Sequence, residues 1–75
     1  MRLVRVDPIR RAYRWYVVGV QATLLEPWAV VCGWGSLRTR YERWRIIPCT
    51  SAEEAEMRMA QIVAAKRRRG YREAG

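Results

Sequence analysis

The chain has 75 residues, the length of one small domain, close to the lower limit at which a core sustains itself without a partner or staple. Its 51% apolar content, with four Trp and four Tyr and no Phe, excludes a disordered tail. The net charge of +8, from 15 basic and 7 acidic residues, points to a polyanionic partner or an anionic membrane surface. All the basic residues but Lys66 are arginine. Guanidinium suits bidentate phosphate contact and stacking on bases. A GC-rich coding sequence would also favour Arg over Lys, but it does not account for the excess of positive charge.

Leu3-Val4-Arg5-Val6 reads as a short strand stopped by the turn signal Asp7-Pro8, with Ile9 to Arg11 as a basic connection. Trp15 to Val20 has the strongest strand composition, aromatic then β-branched, and Gly19 suggests a bulge or a close backbone approach. Ala22 to Pro27 is a loop. From Trp28, period two places Trp28, Val30, Cys32 and Trp34 on one face and Ala29, Val31 and Gly33 on the other. The small residues of that second face would let a helix lie close. Gly35 and Ser36 are expected to turn. The next strand has Trp44 and Ile46 on one side and Arg43 and Arg45 on the other, a half-buried antiparallel pattern closed by Pro48.

Ser51 and Glu54 have capping-box spacing and predict a helix start. Ala52, Ala55, Met59, Ile62 and Val63 share one helical face, with Arg58, Gln61 and Arg68 turned away and Glu54–Arg58 as an i,i+4 pair. Acids in the first turns and Lys66 to Arg69 in the last match the helix dipole, and Gly70 is a natural stop. The expected architecture is α+β: one domain over residues 1–75, a small antiparallel β-sheet packed by one C-terminal α-helix.

Cys32 and Cys49 form no Cys-x-x-Cys motif, and His is absent, so neither a zinc site nor a redox motif assembles from the usual spacings. They read as small buried thiols in a reducing cytoplasm, with a single disulfide as the other reading. Arg2 and Arg5 run into Asp7-Pro8 with no apolar segment behind them, so no signal peptide is expected and the location is read as cytoplasmic. Trp15 to Leu37 is long enough to span a bilayer, but Glu26 at its middle costs about 2.5–3.5 kcal/mol on insertion. Gln21, Pro27 and several glycines weigh against a span as well. With no His and no paired carboxylates, and with Ser36 and Ser51 lacking a partner base, no catalytic set forms. The expectation is no enzyme, no cofactor, no metal and no small-molecule substrate.

The chemistry-bearing residues lie in two stretches. Trp34-Gly35 ends the apolar run and is followed by Arg38, Arg40, Arg43 and Arg45, interleaved with Tyr41 and Trp44. An exposed indole beside guanidinium groups can stack on a sugar or base while the charges neutralise phosphates. The second stretch is Lys66, Arg67, Arg68, Arg69 and Tyr71. Each has a plainer reading too. Trp34 could be core, the strand arginines a solvated face, one or two helix-end charges dipole complements, and Tyr71 a ring packed back on the sheet. The expected function is a non-catalytic DNA-binding module that contacts the phosphate backbone at duplex ends or nicks, with DNA favoured over RNA. The alternative is a protein-interaction module that docks an acidic partner or self-associates as a homodimer.

The order and spacing of these pieces resemble the WGR domain, the small module of DNA-dependent poly(ADP-ribose) polymerases and of short bacterial proteins. The likeness runs from Leu3-Val4-Arg5-Val6-Asp7-Pro8 through Trp15-Tyr16, Trp28, the signature Trp34-Gly35 and Trp44-x-Ile46. It ends with the Ser51–Ala55 helix start and Lys66-Arg67-Arg68-Arg69-Gly70-Tyr71. The resemblance implies a compact sheet packed by one helix, without catalytic activity, whose signature Trp, here Trp34, packs on the sugar–phosphate at a DNA end. The third signature residue, Arg in the family, is Ser36 here, and a basic position shortly before the signature is Cys32. Arg38 or Arg40, from the adjoining turn, would have to supply the guanidinium.

Overall fold

The computed structural model describes residues 1–74. Five antiparallel strands run in the order β4-β3-β2-β1-β5: β1 (Arg2–Asp7), β2 (Ala12–Gln21), β3 (Trp28–Ser36), β4 (Glu42–Cys49) and β5 (Arg72–Glu73). One helix, α1 (Ala52–Arg68), lies between β4 and β5 in sequence and packs on one face of the sheet against β2, β3 and β4. This is the α+β architecture the sequence implies.

The register fixes the faces. Leu3 pairs with Tyr16, Tyr16 with Trp34, Val18 with Cys32, and Val30 with Ile47. Successive side chains alternate, so these residues all point to the helix side. There they form the core with Cys49, Ala55 and Tyr71, and Trp34, Met59, Ile62 and Val63 pack around them. Leu3, Val30 and Cys32 are the largest side chains sealed from solvent. Both thiols are buried and unbridged.

The helix therefore lies on the large-residue face, not on the small-residue face of β3. Small residues on the other face serve a different purpose: a Cβ at Gly33 would lie 2.5 Å from the Trp44 indole, which rests on the bare backbone there. Trp44 and Ile46 consequently face away from the helix and are 57% and 55% exposed, where the alternation had suggested half-burial. Large apolar side chains from three neighbouring strands made the opposite face the better one for a helix to cover.

Strand β3 also continues through Gly35 and Ser36, and the turn falls at Leu37–Arg40. Gly19 neither bulges nor meets another group, since its ladder is uninterrupted and a Cβ there would touch nothing within 4 Å. Pro48 lies inside β4 but is tolerated because β4 is an edge strand.

At the helix start Ser51 Oγ accepts the Glu54 amide at 3.1 Å, as the capping spacing requires. The reciprocal bond goes elsewhere: Thr50 Oγ1 donates to the Glu54 carboxylate at 2.6 Å and the Thr50 amide at 3.4 Å. These bonds, the hydroxyl first, hold the Glu54 carboxyl below its ordinary pKa, and Arg58 adds only a distant charge. At the other end the Gly70 amide bonds Arg67 O and the Tyr71 amide bonds Lys66 O, with Gly70 at φ 95°. That pair of bonds is the Schellman arrangement, and it throws the chain back so that Tyr71 enters the core.

Candidate nucleic-acid interface

The helix leaves one end of its sheet face uncovered, and basic residues from four elements gather there. Arg5 on β1 is paired with Arg14 on β2, and Cys32 on β3 with Arg45 on β4. Each of these arginines lies two residues along its strand from a core-facing side chain, so strand alternation aims it to the helix side. On α1 and its C-cap, Arg58, Ile62, Lys66 and Arg69 recur at three- and four-residue spacing and line the helix flank facing the same space. The result is a groove of about 1000 Å³ between helix and sheet, extending round the end of β2 and β3 to the β3–β4 turn.

Aromatic rings form its floor. Tyr16 and Trp34 stack with centroids 6.1 Å apart and planes 13° apart, and Tyr71 meets Tyr16 edge-on at 6.4 Å. Lys66 Nζ lies 4.5 Å from the Tyr16 ring centre and 5.4 Å from that of Tyr71. Burial, then the positive charge of Arg69, lowers the Lys66 pKa from its ordinary value. Burial, then the neighbouring Cys32 thiol, raises that of Tyr16, so its hydroxyl stays protonated and uncharged. Trp34 is partly buried: it packs against the core on one side and lines the groove on the other.

Ser36 organises the turn. Its Oγ accepts the amides of Arg38 at 3.0 Å and Thr39 at 3.1 Å, and its own amide donates to Tyr41 O. The turn so formed carries Arg38 onto the Tyr13 ring, 3.9 Å from its centre, where the groove rounds the end of β2; its pairing with Val6 puts that ring on the sheet's second face. Here a short hydroxyl side chain positions a guanidinium supplied two residues later.

Of the residues singled out in the sequence, Trp34, Arg38, Arg45, Lys66, Arg69 and Tyr71 line this groove. Tyr71, at 7% exposure, is floor and not a free stacking ring. Arg40, Arg43, Arg67 and Arg68 lie outside it; Arg43 leans toward Tyr41 and Arg67 is 3.7 Å from Glu73. Sequence reasoning missed Arg5, Arg11, Arg14 and Arg58. Arg5 and Arg14 were legible as groove residues from alternation, since each is two positions from Leu3 or Tyr16. Arg58, expected to face away, is four residues before Ile62 and eight before Lys66, on the flank itself.

Among the described residues no group of three or more His, Cys, Asp or Glu could hold a metal ion, and no helix is long and apolar enough to cross a membrane. The fold and groove define a small α+β module with an aromatic-floored, arginine-lined cleft. The WGR domain model matches residues 1–75, the whole chain, and the chain belongs to that family, whose modules are associated with nucleic acid binding and are not themselves catalytic. No curated protein and no solved structure matches the chain.

Proposed function

We propose that the chain binds DNA in preference to RNA through the groove, gripping the phosphate backbone and placing a sugar or base at a duplex end or nick against the open side of Trp34. The observation that carries this reading is convergence. Arg5, Arg14, Arg45, Arg58, Lys66 and Arg69 come from three strands and the helix, yet they surround one aromatic floor. Among the described residues no carboxylate side chain lines that space. Charges scattered for solubility would not collect at a single cleft beside stacked rings, whereas a polyanion with flat sugar and base faces needs both together.

In this reading Arg38, held over Tyr13 by the Ser36 turn, takes the place of the guanidinium that the WGR signature carries at its third position. Arg40, Arg43, Arg67 and Arg68 add long-range attraction rather than direct contact. Binding energy comes mainly from counterion release, with one aromatic packing contact.

The test is a salt titration of fluorescence anisotropy with a nicked or blunt duplex. Engagement of about four phosphates gives a log K against log salt slope near −3.6. A flat response removes the reading. Retention on heparin without affinity for any DNA form would favour an acidic protein partner instead.

A further inference from the structure

The second face of the sheet is covered by no described part of the chain. Val4, Trp15, Val17, Val31, Trp44 and Ile46 share it, with the Trp15 and Trp44 rings 6.0 Å apart. A shallow depression of about 340 Å³ opens between Arg2, Val17, Val31 and Trp44. Trp44 and Ile46 are exposed and Trp15 is half-buried, and an apolar sheet face with an exposed indole is the kind of surface that a further layer of protein covers.

The strand register says what that layer is. Glu42 is opposite Gly35, Gly35 opposite Trp15, Trp15 opposite Val4, and Val4 opposite Arg72. A single row thus crosses all five strands on the open face, beginning in an acid and ending in a base. In the next row Trp44 lies opposite Gly33, Gly33 opposite Val17, and Val17 opposite Arg2. Glu42 and Arg72 are four strand spacings apart, roughly 19 Å, too far to meet within one chain. Both are exposed, and neither is in an ion pair among the described residues.

We infer that the open face binds a second copy of this chain, face to face, about a twofold axis parallel to the strands. Such an axis carries β4 over β5 of the second copy. It sets Glu42 against Arg72 of the second copy twice, and Trp44 near Arg2 of the second copy, a cation–π geometry. A foreign acidic partner would complement Arg2 and Arg72 but would be repelled by Glu42. The face measures about 24 Å across five strands and about 20 Å along six residues. Two copies therefore bury on the order of 1,000 Å², the lower end of specific interfaces, where weak, concentration-dependent association is expected. The helices lie outward. If the proposed DNA reading also holds, the dimer offers two grooves facing opposite ways and can bridge two nucleic-acid segments.

Sedimentation equilibrium of the full chain without nucleic acid, from about 1 to about 500 μM, tests the dimer independently of DNA binding. The expected result is a concentration-dependent dimer, abolished by Ile46→Glu at an exposed position. Glu42→Arg and Arg72→Glu should each weaken it roughly tenfold, since each disturbs two symmetric pairs, and the double variant should restore it to within about threefold. A monomer throughout, a dimer indifferent to Ile46→Glu, or single variants not rescued by the double one would each overturn the inference. So would a monomer whose indole fluorescence responds, through Trp44, to a single-stranded oligonucleotide, which would assign the face to unpaired bases.

Discussion

Replacing Gly35 by alanine tests the packing that carries the signature segment. A Cβ at that position would run into the carbonyl oxygen of Tyr41 and lie 2.8 Å from two atoms of the Trp15 indole. Neither neighbour can retreat freely. The Tyr41 carbonyl accepts the Ser36 amide at 3.1 Å, a bond that closes the turn, and Trp15 is backed by Trp44. Overpacking of this kind costs about 1–3 kcal/mol, and loss of the turn hydrogen bond adds about 1 kcal/mol. The sum is about 3 kcal/mol, or a fall in Tm of about 12–24 °C for a domain of this size. Gly33→Ala is the internal control. The nearest atoms to its Cβ all belong to the Trp44 ring, which is 57% exposed and can swing into solvent, so about 1 kcal/mol and about 4–8 °C are expected. Thermal unfolding followed by far-UV circular dichroism reads both. A Gly35→Ala protein melting within about 2 °C of the parent, or a Gly33→Ala protein that is the worse of the two, would refute the packing argument.

Two further outcomes follow from the groove. Burial and Arg69 depress the Lys66 pKa, so its ammonium opposes folding below that depressed value, and the penalty is relieved as pH rises toward the ordinary lysine range. Across the same window the groove loses one cation. DNA affinity should therefore fall at a lower pH than for an ordinary lysine, by up to about eightfold at 0.1 M salt, and Lys66→Arg should flatten that profile. An unchanged profile in Lys66→Arg would count against a phosphate contact there. Trp34 packs on the core and stacks on Tyr16, so Trp34→Ala should lower both affinity and Tm, the latter by about 8–16 °C for about 2 kcal/mol. Trp34→Phe should keep most of the stability. Unaltered melting in Trp34→Ala would mean the indole contributes no packing.

Local signals in the chain were sufficient for the elements. Asp7-Pro8, the Ser51–Glu54 spacing and Gly70 each mark a boundary that local backbone chemistry enforces, and each is where the strand or helix ends or begins. Alternation likewise separated Trp34 from Gly33 within β3 and Arg45 from Trp44 within β4, and the register then put Trp34 and Arg45 on one face. What alternation does not contain is which face the helix will choose. That depends on the summed side chains of β1, β2 and β3 once paired, and Gly33 looked like a seat for a helix when it is a seat for the Trp44 ring.

The site divided along the same line. Trp34, Arg45 and Lys66 could be picked from composition; alternation puts Arg5 with Leu3 and Arg14 with Tyr16, and what only the β1–β2 pairing adds is that the two arginines face each other. Arg40, Arg43, Arg67 and Arg68 matched the groove residues in type: Arg67 and Arg68 differ by helix phase, Arg40 lies in the turn, and Arg43, opposite Trp34 on the same face as Arg45, leans toward Tyr41. Ser36 read as an absence of charge, yet its hydroxyl positions Arg38 through backbone bonds that no residue count reveals.

The central claim is that arginines in the groove, and not arginines in general, hold the polyanion. Arg14→Ala/Arg45→Ala and Arg67→Ala/Arg68→Ala remove the same charge, so their affinities for one duplex at 0.1 M salt separate position from number. The groove pair should lose about sixtyfold and about 1.8 from the salt slope, while the outer pair loses only a few-fold. Equal losses from the two pairs would contradict the account.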